Sequence, residues 1–231
     1  MTNINDQIQD LLKTLNDTSV ILVPSIGKEA SEAGTSILLW INYLRSVHHN
    51  RAAIELLNGT ESALIESCAY CCLGLGRAAI AAIRTQVDLL LGYTFFRDHP
   101  VEWKTLHESS EDYRLFSKII KYHGEVDPHF KNRLDIINKI VIPTNQELYR
   151  VMSAHIHAQS TFTIPSFTKM EDLVLDQVKI ESIIKLQQET SKALSALLLA
   201  IYGKNWINLP PKLYLPLRSQ MTKNQISIFF R

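Results

Sequence analysis

Apolar residues recur along most of this chain at the three-and-four spacing of an amphipathic helix. Ile4, Ile8, Leu11, Leu12 and Leu15 define a first short helix. Residues 17–28 read as a linker with a brief β-like run, Ser19–Val23, stopped by Pro24. A second helix is predicted over 36–57 and closed by Asn58-Gly59. A long third helix follows from a Thr60 cap to about Arg97, where Asp98-His99-Pro100 ends it. Further helices are predicted over 101–122, stopped by Gly124, and over 129–140, opened by Asp127-Pro128 and closed by Pro143. Thr144-Asn-Gln-Glu147 is a capping box that opens a helix over 145–160. After a loop over 161–170, a last long helix runs over 173–202 to Gly203. Beyond it, Pro210, Pro211 and Pro216 predict an extended tail with short strands at 212–215 and 226–230.

This pattern predicts an all-α fold: a helical bundle with long antiparallel helices and an irregular C-terminal extension. The expected organisation is an N-terminal helix and linker (1–28), a helical bundle (29–203) and a basic extension (204–231). The extension carries Lys204, Lys212, Arg218, Lys223 and Arg231 with no acid. No repeat or low-complexity segment interrupts the chain.

Composition narrows the picture from there. The 231 residues are 46% hydrophobic and 20% charged, the balance of a globular chain and not of a disordered one. With 24 Lys and Arg against 23 Asp and Glu, the net charge of +1 excludes a strongly basic groove over the whole molecule. The apolar windows 78–96 and 193–202 are interrupted by Arg84, Gln86 and Asp88, or are too short, so no membrane span is expected. The N-terminus lacks the basic and apolar regions of a secretory signal. Three cysteines, Cys68, Cys71 and Cys72, fall within five positions and cannot build a disulfide framework. They read as buried, inert thiols, and the expected compartment is the cytoplasm.

Several residues carry candidate chemistry. Gly74-Leu-Gly76 lacks the third glycine and the preceding strand of a phosphate loop, so these small residues read as packing positions. Arg84 and Asp88 share a helix face among apolar neighbours, either as a structural pair or as a polar lining of a site. His155 and His157 point about 200° apart on a helix and do not chelate one metal. No zinc-type histidine spacing occurs, so neither a metal nor a cofactor is expected.

The segment Tyr149-Arg150-Val-Met-Ser153-Ala-His155-Ile-His157 resembles the R-x4–6-H motif of the HEPN superfamily. These are helical bundles that include metal-independent ribonucleases, and the motif lies on the helix before the last. Ser153-Ala-His-Ile-His157 is also similar to the motif region of helical proteins from bacterial abortive-infection and defence loci. Val151 stands where that family often has a polar residue. The resemblance implies an endoribonuclease that leaves 2′,3′-cyclic phosphate and 5′-OH ends, a toxin-like effector whose partner is an antitoxin or another defence protein. Arg150 would stabilise the phosphorane and His155 would act as acid or base. His157 would assist, or would itself be the motif histidine at the longer spacing. Arg84, Asp88, Tyr149 and Ser153 would line the site.

Independently, RNA carries its own nucleophile in the 2′-OH, and imidazole and guanidinium supply proton transfer and charge stabilisation without a metal. One chain offers few such groups, so a homodimer joined at this helix is expected, burying Met152 and Ile156. The basic tail, with Tyr214, Phe229 and Phe230, would add phosphate contacts and base stacking, or would pack over the bundle. The rival readings are a non-catalytic helical interaction module and a metal hydrolase.

Overall fold

A computed structural model describes residues 3–48, 52–109 and 116–230. It is 81% helical, and among the described residues there is no strand. The α-helices in chain order are α1 (Ile4–Glu32), α2 (Thr35–His48), α3 (Ile54–Cys72), α4 (Gly76–Phe96), α5 (Pro100–Ser109) and α6 (Phe116–Val126). They continue with α7 (Phe130–Ile140), α8 (Asn145–His157), α9 (Gln177–Tyr202), α10 (Pro211–Arg218) and α11 (Lys223–Phe229). The chain is all-α, as the periodicity predicts. It forms two compact units. The first comprises Met1–Thr35, Ser62–Thr85 and Gln146–Thr190; the second comprises Ser36–Glu61, Gln86–Asn145 and Ser191–Arg231.

In the first unit the expected linker at 17–28 is absent, because α1 runs unbroken through Pro24. Leu22, Ile26 and Ala30 recur every four residues and are buried. Burying the first two contributes about 2 kcal/mol each, which exceeds the ~3 kcal/mol cost of an internal proline. Val20, whose carbonyl loses its helical partner to Pro24, lies on the exposed face, and the Ser25 hydroxyl donates to Ile21 O and Leu22 O. Ser67 Oγ donates to Gln187 Oε1 at 3.1 Å, joining α3 to α9.

The predicted helix from Thr60 to Arg97 is two helices. Gly74 turns the chain with φ of 75°, and its carbonyl accepts from Leu175 N at 2.8 Å. A side chain there would be strained by the left-handed backbone and would meet Val174 and the Leu175 carbonyl. The small residues near Gly74 therefore serve close packing. Cys68, Cys71 and Cys72 are free, and burial pushes the Cys71 thiol up to about 12. Between α8 and α9 the chain passes through a loop and a 3-10 turn, Met170–Leu173, that packs on α1.

In the second unit the predicted break at Asn58-Gly59 does not occur. Both residues lie inside α3, and α2 ends earlier, at His48. Ala53, with φ of 62°, makes the turn into α3. Gly59 packs closely on Leu89, and a Cβ there would sit 3.0 Å from Leu89 Cδ1, so the leucine end would have to shift. Thr60 is no cap; its buried hydroxyl donates to Leu56 O. The helix predicted over 101–122 is α5 followed by α6, which continues through Gly124, with 110–115 outside the described residues.

Trp40 Nε1 donates to Ser195 Oγ at 2.8 Å, and Arg133, fully buried on α7, is ion-paired with Asp127 and donates from Nε to Ala200 O at 2.8 Å. The C-terminal extension is helical where irregular chain and strands were expected. Pro211 occupies the first turn of α10, where a missing N–H costs nothing, and Thr222 with Gln225 forms a capping box for α11. Leu213, Leu217 and Phe229 bury this segment, and α11 packs on α7. Phe229 is therefore unavailable for base stacking, while Tyr214 and Phe230 pack edge-on against Trp206.

Candidate functional site

Helix α8 begins directly after Thr144 and is anchored in the first unit by Leu148 and Met152. Tyr149 adds a lateral tie: Arg84 Nη2 on α4 donates to its hydroxyl at 2.8 Å, with the guanidinium 5.0 Å from the ring centroid. Two of the residues expected to line a site, Arg84 and Tyr149, thus meet. Asp88, one turn further along α4, belongs to the second unit. The Ser153 hydroxyl is buried with no hydrogen-bond partner among the described residues.

With Leu148 and Met152 inward, 100° per residue fixes the rest of the wheel. Arg150 and His157, seven residues apart, lie within about 20° of each other on the opposite face, and both are exposed. His155 is about 140° away from Arg150 and is half-buried. The structure does not bring Arg150 and His155 together. Met152 is fully buried within its own chain, so it has no surface left for the expected dimer contact.

His155 instead lines a cavity of about 1040 Å³ with Arg77, Lys179 and Lys185, facing Phe162 and Phe167 from the loop after α8. Arg77 Nη2 donates to Ile156 O at 3.0 Å, where a cation also complements the carbonyl end of α8. Burial, and secondarily the Arg77 charge, hold the His155 pKa below that of an ordinary imidazole. The cavity also includes Glu189 in its lining, and Phe162 is 96% exposed beside it.

A polar cluster in the second unit was not singled out from the sequence. Arg97, just past the end of α4, donates from Nη1 to Tyr202 Oη at 2.5 Å and from Nε to Asp98 Oδ2 at 3.1 Å. Its Nη1 also lies 3.3 Å from His48 Nε2, and its guanidinium stacks 4.7 Å from the Tyr202 ring centroid. His123 is buried behind it, with Nε2 3.0 Å from Thr94 Oγ1, and burial with the Arg97 charge lowers its pKa to about 4. These groups border a cavity of about 500 Å³. The legible signal was Arg97-Asp98 at the end of a strongly apolar helix; Asp98-His99-Pro100 reads equally well as a helix stop.

Among the described residues no three His, Cys, Asp or Glu side chains gather as metal ligands, and no helix is long and apolar enough to cross a membrane. Comparison with protein-family models, curated proteins and solved structures gives no match for this chain.

Proposed function

We propose that this chain is a metal-independent endoribonuclease whose site is the outward face of α8, with Arg150 and His157 as its catalytic pair. The observation that carries the reading is their common exposed stripe on one continuous helix, at the longer spacing of the R-x4–6-H pattern. His155, the other candidate, faces away from Arg150 and shares its cavity with Arg77.

In this reading the 2′-OH attacks the adjacent phosphorus and the 5′-oxygen leaves. The imidazole of His157 moves the proton, and the guanidinium of Arg150 binds the equatorial oxygens as charge develops. The products are a 2′,3′-cyclic phosphate and a 5′-OH, with no water or metal consumed in that step. Ala154, which is small, lies between the two catalytic residues, where a second helix would approach. In this reading the substrate is RNA, the active form is a homodimer, and an antitoxin or other defence protein is the partner that restrains it.

The test is cleavage of a single-stranded RNA in EDTA. Arg150→Ala and His157→Ala should each lose about 100-fold or more in rate, the usual contribution of a positioned acid–base or charge-stabilising group. His155→Ala should keep most of its activity. Wild-type and Arg150→Ala chains cleaving equally, or no cleavage at all, would remove the proposal. In the second case the cation-rimmed cavity with exposed Phe162 favours the rival reading, a helical interaction module.

A further inference from the structure

The cavity in the second unit is lined by no residue of α8. Its carboxylates are already engaged from within the protein. Asp98 takes the Arg97 Nε and the Tyr122 hydroxyl, and Asp127 takes Arg133 and the backbone N–H of His129. Its donors are not. Arg97 makes its hydrogen bonds through Nε and Nη1, so among the described residues its Nη2 group is uncommitted. Lys204 forms no ion pair among the described residues, and Asn205 and Asn208 add amide groups to the same wall. A cavity with spent acceptors and spare cationic donors is complementary to an anion. Tyr43 and Tyr122, neither fully buried, also line the cavity and supply aromatic surface that suits a planar ring. The volume of about 500 Å³ is that of a small-molecule site.

We propose that this cavity binds a mononucleotide: the single phosphate is held between the open edge of Arg97 and Lys204, and the base lies against the tyrosine rings. The phosphate would accept from the Arg97 Nη2 group, on a guanidinium that the Tyr202 and Asp98 contacts hold in place. Ring and phosphate each contribute, so neither alone should bind as well as the two joined.

Isothermal titration of the full chain with AMP and UMP tests this, with inorganic phosphate and adenosine as separate arms. At least one mononucleotide should bind, and phosphate and adenosine should each bind at least about tenfold more weakly. Arg97→Lys, which keeps the charge and loses the planar guanidinium with its Nη2 donor, should weaken binding by about tenfold or more. Because Arg97 is tied into the interior, two surface changes provide the same reading without that risk. Lys204→Glu reverses the exposed cation, and Val47→Trp narrows the cavity from an exposed position. Both should weaken binding while leaving the helical circular dichroism unchanged. Failure of both nucleotides to bind at millimolar concentration would overturn the site. So would binding that Lys204→Glu and Val47→Trp leave unaltered, or inorganic phosphate binding as tightly as the nucleotides. None of these results depends on whether the chain cleaves RNA.

Discussion

His123 shows how burial turns a common side chain into a pH-dependent element of stability. Its ring is buried at Thr94 and Arg97, and its pKa falls to about 4 from the 6.5 of a free imidazole. The folded protein therefore resists a proton that the unfolded chain accepts. The associated stability is complete above pH 6.5 and is lost as pH falls from 6.5 toward 4, by about 3 kcal/mol in total. Urea unfolding should show this decline across that window. His123→Asn, which keeps a polar partner for Thr94 and does not titrate, should flatten it. An equal pH slope in wild type and variant would show that other groups cause the acid sensitivity. His155 is shifted in the same direction by burial and Arg77, which suits a neutral, cavity-facing ring more than a catalytic acid.

Pro24 marks the point at which the sequence pattern and the helix diverge. A proline inside α1 costs helical stability that the burial of Leu22 and Ile26 offsets, so Pro24→Ala should raise the thermal midpoint, by the equivalent of about 1–3 kcal/mol. A lowered midpoint would mean that Pro24 favours the native bend or restricts the unfolded chain. The same divergence recurs wherever a local signal was outweighed by packing. Asn58-Gly59 looked like a stop but lies within α3, because Gly59 lets Leu89 approach. The prolines of the tail looked extended, but Pro210 and Pro211 open α10 and Pro216 lies inside it, because Leu213 and Leu217 are buried one turn apart. Starts with a chemical signature, such as Thr144 before α8, and long periodic runs, such as α9, were legible. For the candidate site, the residues of α8 and their angular spacing were legible. Which histidine faces out was not, since burial belongs to tertiary contacts. The second-unit cavity was illegible for the same reason: its Arg97–Tyr202 contact spans 105 residues.

Arg150 and His157 stand about 10 Å apart along α8, too far for both to grip one phosphate from a single helix. Two α8 helices related by a two-fold axis resolve this if they run antiparallel and cross near Ala154, midway between the pair. Each Arg150 then faces the His157 of the partner copy, and one composite site forms on either side of the axis. The small side chains at the crossing permit the close approach, and the exposed Val151 borders it. Mixing inactive chains tests this arrangement. An Arg150→Ala chain paired with a His157→Ala chain carries one dead site and one intact site. Random exchange of equal amounts makes half the dimers mixed, so the mixture should recover about a quarter of wild-type cleavage. Two Arg150→Ala chains should recover none. If the mixture stays inactive although native mass spectrometry shows mixed dimers, both groups act from the same chain and the antiparallel arrangement is wrong. A monomer that cleaves RNA at the full rate would exclude it as well.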